Sequence, residues 1–407
     1  MSSDDIDNIF ERAATGRSLI KNRNTLSIDY VPDKLPFRDQ ETKGIAQILS
    51  TSLRGSRPSN LFIFGDPGTG KTVAVKNVID RLQKKANELK QKITVPFVNG
   101  KLATTSYKVL FQIAEDIGLN QEEAQQVPFT GLSIGEATDR ILQFIKKKKL
   151  RIILIIDEID SLVEREKGGD DLLYNFTRAN ERLKDGFISL VGISNNLLFK
   201  EMLSPRVRSS LSEEEMLFNP YKVDQLKQIL LDRVALAFNE GAVTESAINL
   251  CAAIAGREHG DARKAIDLLR VAAELAEREN ATKLDEKHIR QAQEKIEKDA
   301  PYNAIKNAVQ QKKFVILAIA KSKTGHTGEV YEIYSELCRD AHQEPPTQRR
   351  MTQIISELKQ LGLVSTDILN QGRYGNTRKI TLTIPFTTIR DALKDDPVFS
   401  ELIAASD

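Results

Sequence analysis

A glycine-rich octapeptide occupies residues 65–72 and has the sequence Gly65-Asp66-Pro67-Gly68-Thr69-Gly70-Lys71-Thr72. It follows the apolar run 61–64, which predicts a buried strand, and it precedes a helical stretch from Thr72 to Lys90. Glycines allow backbone N–H groups to turn towards an anion, and the start of the following helix also favours negative charge. Strand, octapeptide and helix together predict a phosphate-binding loop of the Walker A type.

The last residues of the loop indicate which ligand it takes. Lys71 supplies a point charge for the β- and γ-phosphates, and Thr72 supplies a hydroxyl for a magnesium ion. We therefore expect residues 65–72 and Val73 to contact ATP or ADP, with Mg²⁺ as the accompanying metal.

Residues 152–156 form a second apolar run, and it ends in Asp157-Glu158-Ile159-Asp160. Carboxylates at the end of a buried strand match the Walker B arrangement. Asp157 is expected to help hold magnesium, and Glu158 to orient and polarise the attacking water. A third apolar run, 188–193, is followed by Asn195, whose side chain either reaches the γ-phosphate and its water or belongs to a simple turn.

Apolar runs and helical stretches alternate along the first half of the chain. The predicted strands are 61–64, 95–98, 152–156 and 188–193. This alternation predicts an α/β core with a parallel sheet, covering residues 1–221 with an N-terminal extension.

After Pro220 the pattern changes to amphipathic helices. Their predicted spans are 224–238, 244–255, 261–278 and 285–297. We assign residues 222–302 to a helical lid domain. Residues 303–407 follow the order helix, helix, helix, two strands, which predicts a winged-helix domain.

The composition of the 407-residue chain is that of an ordinary globular protein, with a formal net charge of +2. No apolar run is long enough to span a membrane, and the N-terminus lacks the features of a signal peptide. We expect a cytoplasmic protein without a membrane partner. Cys251 and Cys338 lie far apart in sequence, and we assign no zinc site.

Positive charge is concentrated in the third predicted domain, where residues 303–390 contain 13 Lys or Arg against 7 Asp or Glu. Within the predicted helix 347–361, an apolar stripe of Met351, Ile354, Ile355, Leu358 and Leu361 leaves a polar face free. The residues expected to contact DNA are Gln348, Arg349, Arg350 and Gln353 on that face, with Arg373 and Tyr374 at the tip of the following hairpin. The alternative is a winged helix that binds protein.

Four segments are distinctive in sequence and order: 29–38, 157–160, 204–211 and 260–265, namely DYVPDKLPFR, DEID, SPRVRSSL and GDARKA. They resemble motifs of the AAA+ ATPases, and among these the archaeal replication initiators related to eukaryotic origin-recognition and helicase-loading proteins. The resemblance covers almost the whole chain.

The resemblance implies roles for individual residues. Asn195 is the sensor-1 residue, Arg263 the sensor-2 arginine acting in cis, and Arg206 the arginine finger, with Arg208 as the competing candidate. Tyr30, Val31, Pro32 and Tyr221 surround adenine, and Arg38 belongs to the nucleotide site. The alternatives are solvated arginines at 206 and 208, and a helix ion pair between Arg263 and Asp267.

The family also carries a DNA-contacting helical insertion, which residues 127–133 leading into 134–145 resemble. We interpret the adjoining basic run 146–149 as a solvated helix end rather than a DNA contact.

The function implied is an ATP-dependent replication initiator. It is nucleoid-associated, binds duplex DNA at replication origins and helps recruit the replicative helicase. It also self-associates on DNA and hydrolyses ATP slowly as a switch. The alternatives are a DNA-binding transcription regulator with a nucleotide-sensing module and a clamp-loader-like subunit.

Overall fold

The computed structural model describes residues 18–103, 105–119, 131–165, 167–183, 185–211, 213–257, 259–370 and 376–404. The chain divides into two compact units, Met1–Ile289 and Arg290–Asp407. The predicted division between core and lid near residue 221 falls inside the first unit and remains a prediction. The predicted boundary at residue 303 lies beyond the division between the units.

A parallel sheet forms the centre of the first unit. Among the described residues its strands are β1 (Asn60–Phe64), β2 (Ile93–Thr94), β3 (Phe97–Asn99), β4 (Arg151–Asp157), β5 (Phe187–Ser194) and β6 (Glu213–Leu217). The order across the sheet is β2, β4, β5, β1, β6, with β3 also paired to β4. The carboxyl ends of β1, β4 and β5 therefore lie side by side, which is where parallel sheets hold their ligands.

Helices cover both faces of this sheet. They are α1 (Asp39–Ser50), α2 (Lys71–Glu88), α3 (Ser106–Asp116), α4 (Ile134–Lys148), α5 (Ile159–Arg165), α6 (Lys167–Arg178), α7 (Phe199–Met202) and α8 (Pro205–Leu211). Alternate strand residues point to opposite faces, so Leu61 and Ile63 pack with α1 and α2, whereas Phe62 packs with α3 to α8. Burial on both faces explains why the strands are continuous apolar runs.

A group of lid helices follows the sheet in the same unit. They are α9 (Val223–Ala237), α10 (Glu245–Arg257), α11 (Ala262–Arg278) and the first residues of α12 (Glu286–Lys306). Asp261 caps α11, because its side chain accepts hydrogen bonds from the backbone N–H groups of Arg263 and Lys264.

The segment 18–38 is held at two places. Residues 18–30 bind the lid: Lys21 N–H donates to Ala237 O, and Glu277 accepts hydrogen bonds from Ser18, Leu19, Ile20 and Arg23. From residue 32 the segment binds the sheet domain instead, because the Asn77 amide donates to the carbonyls of Pro32 and Asp33 at 3.0 and 3.2 Å. The chain therefore passes from lid to core between residues 30 and 32.

The second unit contains the remainder of α12 and a winged-helix arrangement. Its further elements are α13 (Gln310–Lys321), α14 (Thr327–Asp340), α15 (Gln348–Gln360), β7 (Val364–Asn370), β8 (Asn376–Leu382), α16 (Phe386–Leu393) and α17 (Pro397–Ala404). β7 and β8 pair antiparallel from Val364↔Leu382 to Asn370↔Asn376. Ile380 N–H also donates to Gly325 O at 2.8 Å, which joins the hairpin to the turn before α14.

Glu329 fixes that turn. Its carboxylate accepts hydrogen bonds from the Ser322 and Thr324 hydroxyls and from the Lys323 and Thr324 backbone N–H groups. These donors stabilise the ionised form and lower the pKa of Glu329 to about 2. The turn that supports the hairpin therefore keeps its carboxylate charged at every physiological pH.

Several boundaries differ from expectation. Strand β6 was not predicted, because Glu213-Glu214-Glu215 is a poor strand sequence, and its pairing with β1 forms it. The predicted strand 95–98 is split around Pro96, which cannot donate to the ladder. Helix α12 continues past residue 297 and through Pro301. Leu361 was wrongly assigned to the apolar stripe: it caps the end of α15 and is 53% exposed. No helix among the described residues is long and apolar enough to cross a membrane.

Candidate functional site

The glycines of the octapeptide adopt backbone conformations that other residues rarely reach. Gly65, Gly68 and Gly70 have φ of 147°, 74° and 91°. A Cβ at Gly68 would lie 1.7 Å from Asp261 Oδ1, and one at Gly70 would lie 2.8 Å from the Tyr221 hydroxyl. Glycine is therefore needed both for the turn and for the close approach of the lid.

Lys71 is buried at the start of α2 and has three acceptors. Its Nζ donates to Gly65 O at 2.7 Å, Asp66 O at 2.8 Å and Asn195 Oδ1 at 2.9 Å. Burial, followed by the neighbouring positive charge of Arg263, lowers the pKa of Lys71 to about 8. The lysine is thus positioned at the mouth of the loop with a charge that a phosphate would stabilise.

The predicted magnesium ligands lie together. The Thr72 hydroxyl donates to Asp157 Oδ2 at 3.0 Å, joining the ends of the loop and of β4. A hydroxyl and a carboxylate are hard oxygen donors of the kind that Mg²⁺ takes from proteins. The donor set therefore fits this metal.

Glu158 follows directly, with a left-handed φ of 51° that is unusual for a glutamate. Its N–H donates to Asp157 Oδ1 at 3.0 Å, and its carboxylate lies 3.9 Å from Lys101 Nζ. A Cβ at Gly100 would lie 2.6 Å from Glu158 O, so the neighbouring strand end is fitted against this backbone. Such a conformation persists only where the surroundings impose it, as they do here.

Arg263 lies in the first turn of α11 and lines the same cavity as Thr72, Asp157 and Glu158. The alternative ion pair with Asp267 is not found among the described residues, because Asp267 binds Arg270 at 2.6 Å instead. Lid and core thus contribute charged groups to one site. The cavity has a volume of about 1200 Å³ and extends to Val31, Phe97 and α3.

A second, smaller cavity of about 100 Å³ adjoins the loop. Its lining includes Tyr30, Pro32, Gly68, Gly70, Val73, Tyr221, Ile229, Asp232, Arg233, Arg263 and Ile266. The Arg233 guanidinium lies 4.5 Å from the centre of the Tyr30 ring, and its Nη1 donates to Thr25 O at 2.9 Å. This wall, which combines rings and apolar side chains from the N-terminal segment and the lid, suits a planar base.

Arg38 is 4% exposed and lies behind the loop. Its Nε donates to Thr69 O at 2.9 Å, and its guanidinium lies 4.0 Å from the centre of the Tyr221 ring. These contacts give it a place beside the loop backbone rather than on the cavity wall.

The two finger candidates have different surroundings on α8. Arg206 forms an ion pair with Asp171 and lies 5.3 Å from the centre of the Tyr174 ring. For the exposed Arg208, no side-chain partner is found among the described residues. Because these residues are two positions apart on a helix, their side chains point in nearly opposite directions, and a subunit bound on one side would meet only one of them.

In the second unit, α15 begins at the expected place, because the Thr347 hydroxyl accepts a hydrogen bond from the Arg350 backbone N–H. Met351, Ile354, Ile355 and Leu358 are buried. The four predicted DNA contacts on this helix, Gln348, Arg349, Arg350 and Gln353, are all exposed. Arg373 and Tyr374 lie outside the described residues, as do residues 127–130 of the predicted insertion.

The basic run 146–149 ends α4. Lys149 adopts a left-handed φ of 53°, and its Nζ lies 2.9 Å from Asp185. This pairing agrees with the interpretation as a solvated helix end.

Three family descriptions match consecutive parts of the chain. Residues 54–198 match an AAA domain, residues 227–294 a Cdc6 AAA+ ATPase-type lid domain, and residues 303–392 a CDC6 C-terminal winged-helix domain. A protein from Cenarchaeum symbiosum named ORC1-type DNA replication protein is 45% identical over 98% of this chain and 97% of its own length. This chain belongs to the family of ORC1-type DNA replication proteins. The resemblance inferred from the motifs and the predicted fold class are both confirmed.

Other members of the family are similarly close. The ORC1-type protein of Pyrococcus abyssi is 43% identical over 98% of this chain and 96% of its own length. Among solved structures, the Aeropyrum pernix ORC1 protein in complex with DNA is 41% identical, with a TM-score of 0.86, over 95% of this chain and all of that one. Family membership makes this an ATPase-type, nucleotide-binding fold.

Two residues near the site were not predicted as functional. Asp261 lies against Gly68, and the adjacent Ala262 N–H donates to Gly68 O at 3.2 Å. Lys101 approaches Glu158. Asp261 precedes an amphipathic run, which indicates a helix cap, but its contact with the loop depends on how the lid packs.

Proposed function

We propose that this protein is an ATP-dependent DNA replication initiator that binds duplex DNA at replication origins. The observation that carries the proposal is the convergence of Lys71, Asn195, Thr72 and Asp157 at one edge of the sheet, in a chain related along its whole length to DNA replication proteins. The first unit binds and hydrolyses nucleotide, and the second supplies the face that holds DNA.

In the nucleotide site, the N–H groups of residues 65–72 and the Lys71 ammonium hold the phosphates. Thr72 and Asp157 hold Mg²⁺, which neutralises phosphate charge when bound. Glu158 orients the attacking water, while Asn195 and Arg263 contact the γ-phosphate region from the core and the lid. Tyr30, Val31, Pro32 and Tyr221 enclose adenine.

In the second unit, the exposed side chains at the start of α15 enter the major groove of DNA. Arginine and glutamine are the residue types that bind base edges and phosphates. The related Aeropyrum pernix ORC1 protein was solved in complex with DNA, which supports the same partner here. Arg373 and Tyr374 are proposed as further contacts.

Three finer points belong to the same proposal. Hydrolysis is slow and acts as a switch, the chain self-associates on DNA so that a finger arginine reaches a neighbouring site, and the complex helps recruit the replicative helicase. A finger that acts between subunits requires such side-by-side assembly.

Footprinting of genomic DNA fragments tests the proposal. We expect protection at a repeated element beside a replication start, changing between ATP, ADP and no nucleotide. Lys71→Ala should remove the nucleotide dependence. Protection of promoter elements that ignores nucleotide would favour a transcription regulator instead and reject the initiator.

A further inference from the structure

Arg38 is a buried cation, and each of its three guanidinium nitrogens has an acceptor, although the side chain lies outside the cavity walls. Besides the bond from Nε to Thr69 O, Nη1 donates to Glu41 Oε1 at 3.1 Å and Nη2 donates to Asn219 O. A buried charge is tolerated when it is paired and hydrogen-bonded. Arg38 meets that condition with acceptors from three separate parts of the chain.

The positions of these acceptors matter because the chain crosses between core and lid twice. The first crossing lies between residues 30 and 32, where the segment leaves the lid and binds Asn77. The second is the connection 218–222, from the sheet to α9. Arg38 follows the first crossing by a few residues and binds the second through Asn219 O and the Tyr221 ring.

Tyr221 contacts both the phosphate loop and the lid. Its hydroxyl approaches Gly70 so closely that a Cβ there would lie 2.8 Å away. Its backbone N–H donates to Gly260 O at 3.4 Å, next to the Asp261 cap of α11. Thr69, Arg38, Tyr221 and Gly260 thus form a continuous chain of contacts from the phosphate loop to the lid.

We propose that Arg38 is a positioning residue, which fixes the phosphate loop relative to the core–lid connection so that lid position and nucleotide retention are coupled. This rests on the proposed nucleotide function. The geometry requires a guanidinium, because its fixed fork of donors reaches Thr69 O, Asn219 O and Glu41 at once while its plane covers the Tyr221 ring. A lysine ammonium keeps the charge but cannot make this set of contacts.

The test compares Arg38→Lys and Arg38→Ala with wild type, using release of a fluorescent ADP analogue, ATP affinity and thermal melting without nucleotide. We expect both variants to release ADP about 10- to 100-fold faster, the effect of losing charge-assisted hydrogen bonds. Added guanidinium at millimolar concentration should slow release from Arg38→Ala, whereas methylammonium should not. A matched control is Arg81→Lys, since Arg81 also donates to a carbonyl of the N-terminal segment, Asp33 O, but from the exposed side of α2.

The outcomes are separable. Wild-type protein that binds no nucleotide would reject the proposed function itself. Wild-type binding with unchanged release from Arg38→Lys would reject the positioning role. If ADP release is faster only in variants whose melting temperature is also lower, and guanidinium does not slow it, Arg38 is a structural residue and the positioning role is rejected.

Discussion

Burying the Lys71 ammonium has a free-energy cost, which a bound phosphate would offset. Burial is the main reason that its pKa falls to about 8, below the ordinary lysine value of about 10.4. Between these two pH values the folded protein binds fewer protons at this site than the unfolded chain does, so this contribution to the free energy of unfolding increases as pH rises. Below pH 8 the full cost of burying the charge is present, and a phosphate anion offsets it.

The lowered pKa of Lys71 predicts that nucleotide binding is coupled to proton uptake. At pH 8 about half of the free protein has a neutral Lys71, and binding a polyanion should raise its pKa, so ATP binding should take up about half a proton. Calorimetry of Mg-ATP binding in two buffers of different ionisation enthalpy measures the uptake. The control is the same titration at pH 6.5, where Lys71 is already protonated. Equal, near-zero uptake at both pH values would contradict the lowered pKa.

Among the elements, α8 presents its two arginines on opposite sides, and this raises the question of which one would serve as the proposed finger between subunits. The Arg206 ion pair with Asp171 joins two half-exposed side chains. Exposed pairs of this kind contribute only about 0–1 kcal/mol, so a neighbour's phosphate can displace Asp171.

We therefore expect Arg206→Ala to reduce ATP hydrolysis by roughly 10³-fold or more while ATP affinity stays unchanged, because a finger acts on the transition state. Arg208→Ala is the matched control on the same helix and should hydrolyse ATP as wild type does. Steady-state hydrolysis with DNA present and equilibrium ATP titration provide the two measurements. If only Arg208→Ala lost ATP hydrolysis, Arg208 and not Arg206 would be the finger.

Helix α15 exposes Gln348, Arg349 and Arg350 in its first turn. If Arg349 contacts a phosphate, Arg349→Ala should weaken duplex binding and lower the slope of log K against log salt by about 1. Fluorescence titration over a salt series measures both. Arg390→Ala, an exposed arginine of α16, should leave the slope as in wild type. An Arg349 variant with unchanged affinity and slope would remove this helix from the DNA interface.

Some of the strands and helices can be predicted from the sequence, and others cannot. The buried strands β1, β4 and β5 and the helices α2 and α15 follow from apolar period, glycines and caps, which act locally. Strand β6 depends on a partner about 150 residues away along the chain, and its own glutamates disfavour it. The contacts of Asp261 with Gly68 and of Arg38 with Asn219 likewise depend on tertiary packing, so the loop was predictable and its neighbours were not.

At the scale of the whole molecule, each compact unit has its own apolar core. In the first unit two clusters line opposite faces of the sheet, and in the second a separate cluster centres on Phe314, Tyr334, Met351 and Phe399. The residues of the proposed nucleotide site belong to the first unit, and the exposed face of α15 belongs to the second.

This division predicts two thermal unfolding transitions. Nucleotide should raise the melting temperature of only one of them. At 100 times its Kd, Mg-ATP should stabilise the first unit by about 2.7 kcal/mol and leave the second unchanged. Differential scanning calorimetry with and without Mg-ATP measures the shifts, and Lys71→Ala should show none. A single transition, or an equal shift of both, would mean that the units unfold together.

Residues 18–30 bind helices α9 and α11, and these contacts have a consequence for protein engineering. A lid transplanted from a relative would replace Glu277 and Arg233 but not their partners, leaving Leu19 and Thr25 of the N-terminal segment facing foreign sequence. Chimaeras between family members should therefore exchange both pieces together, with junctions at residues 31–32 and 218–222.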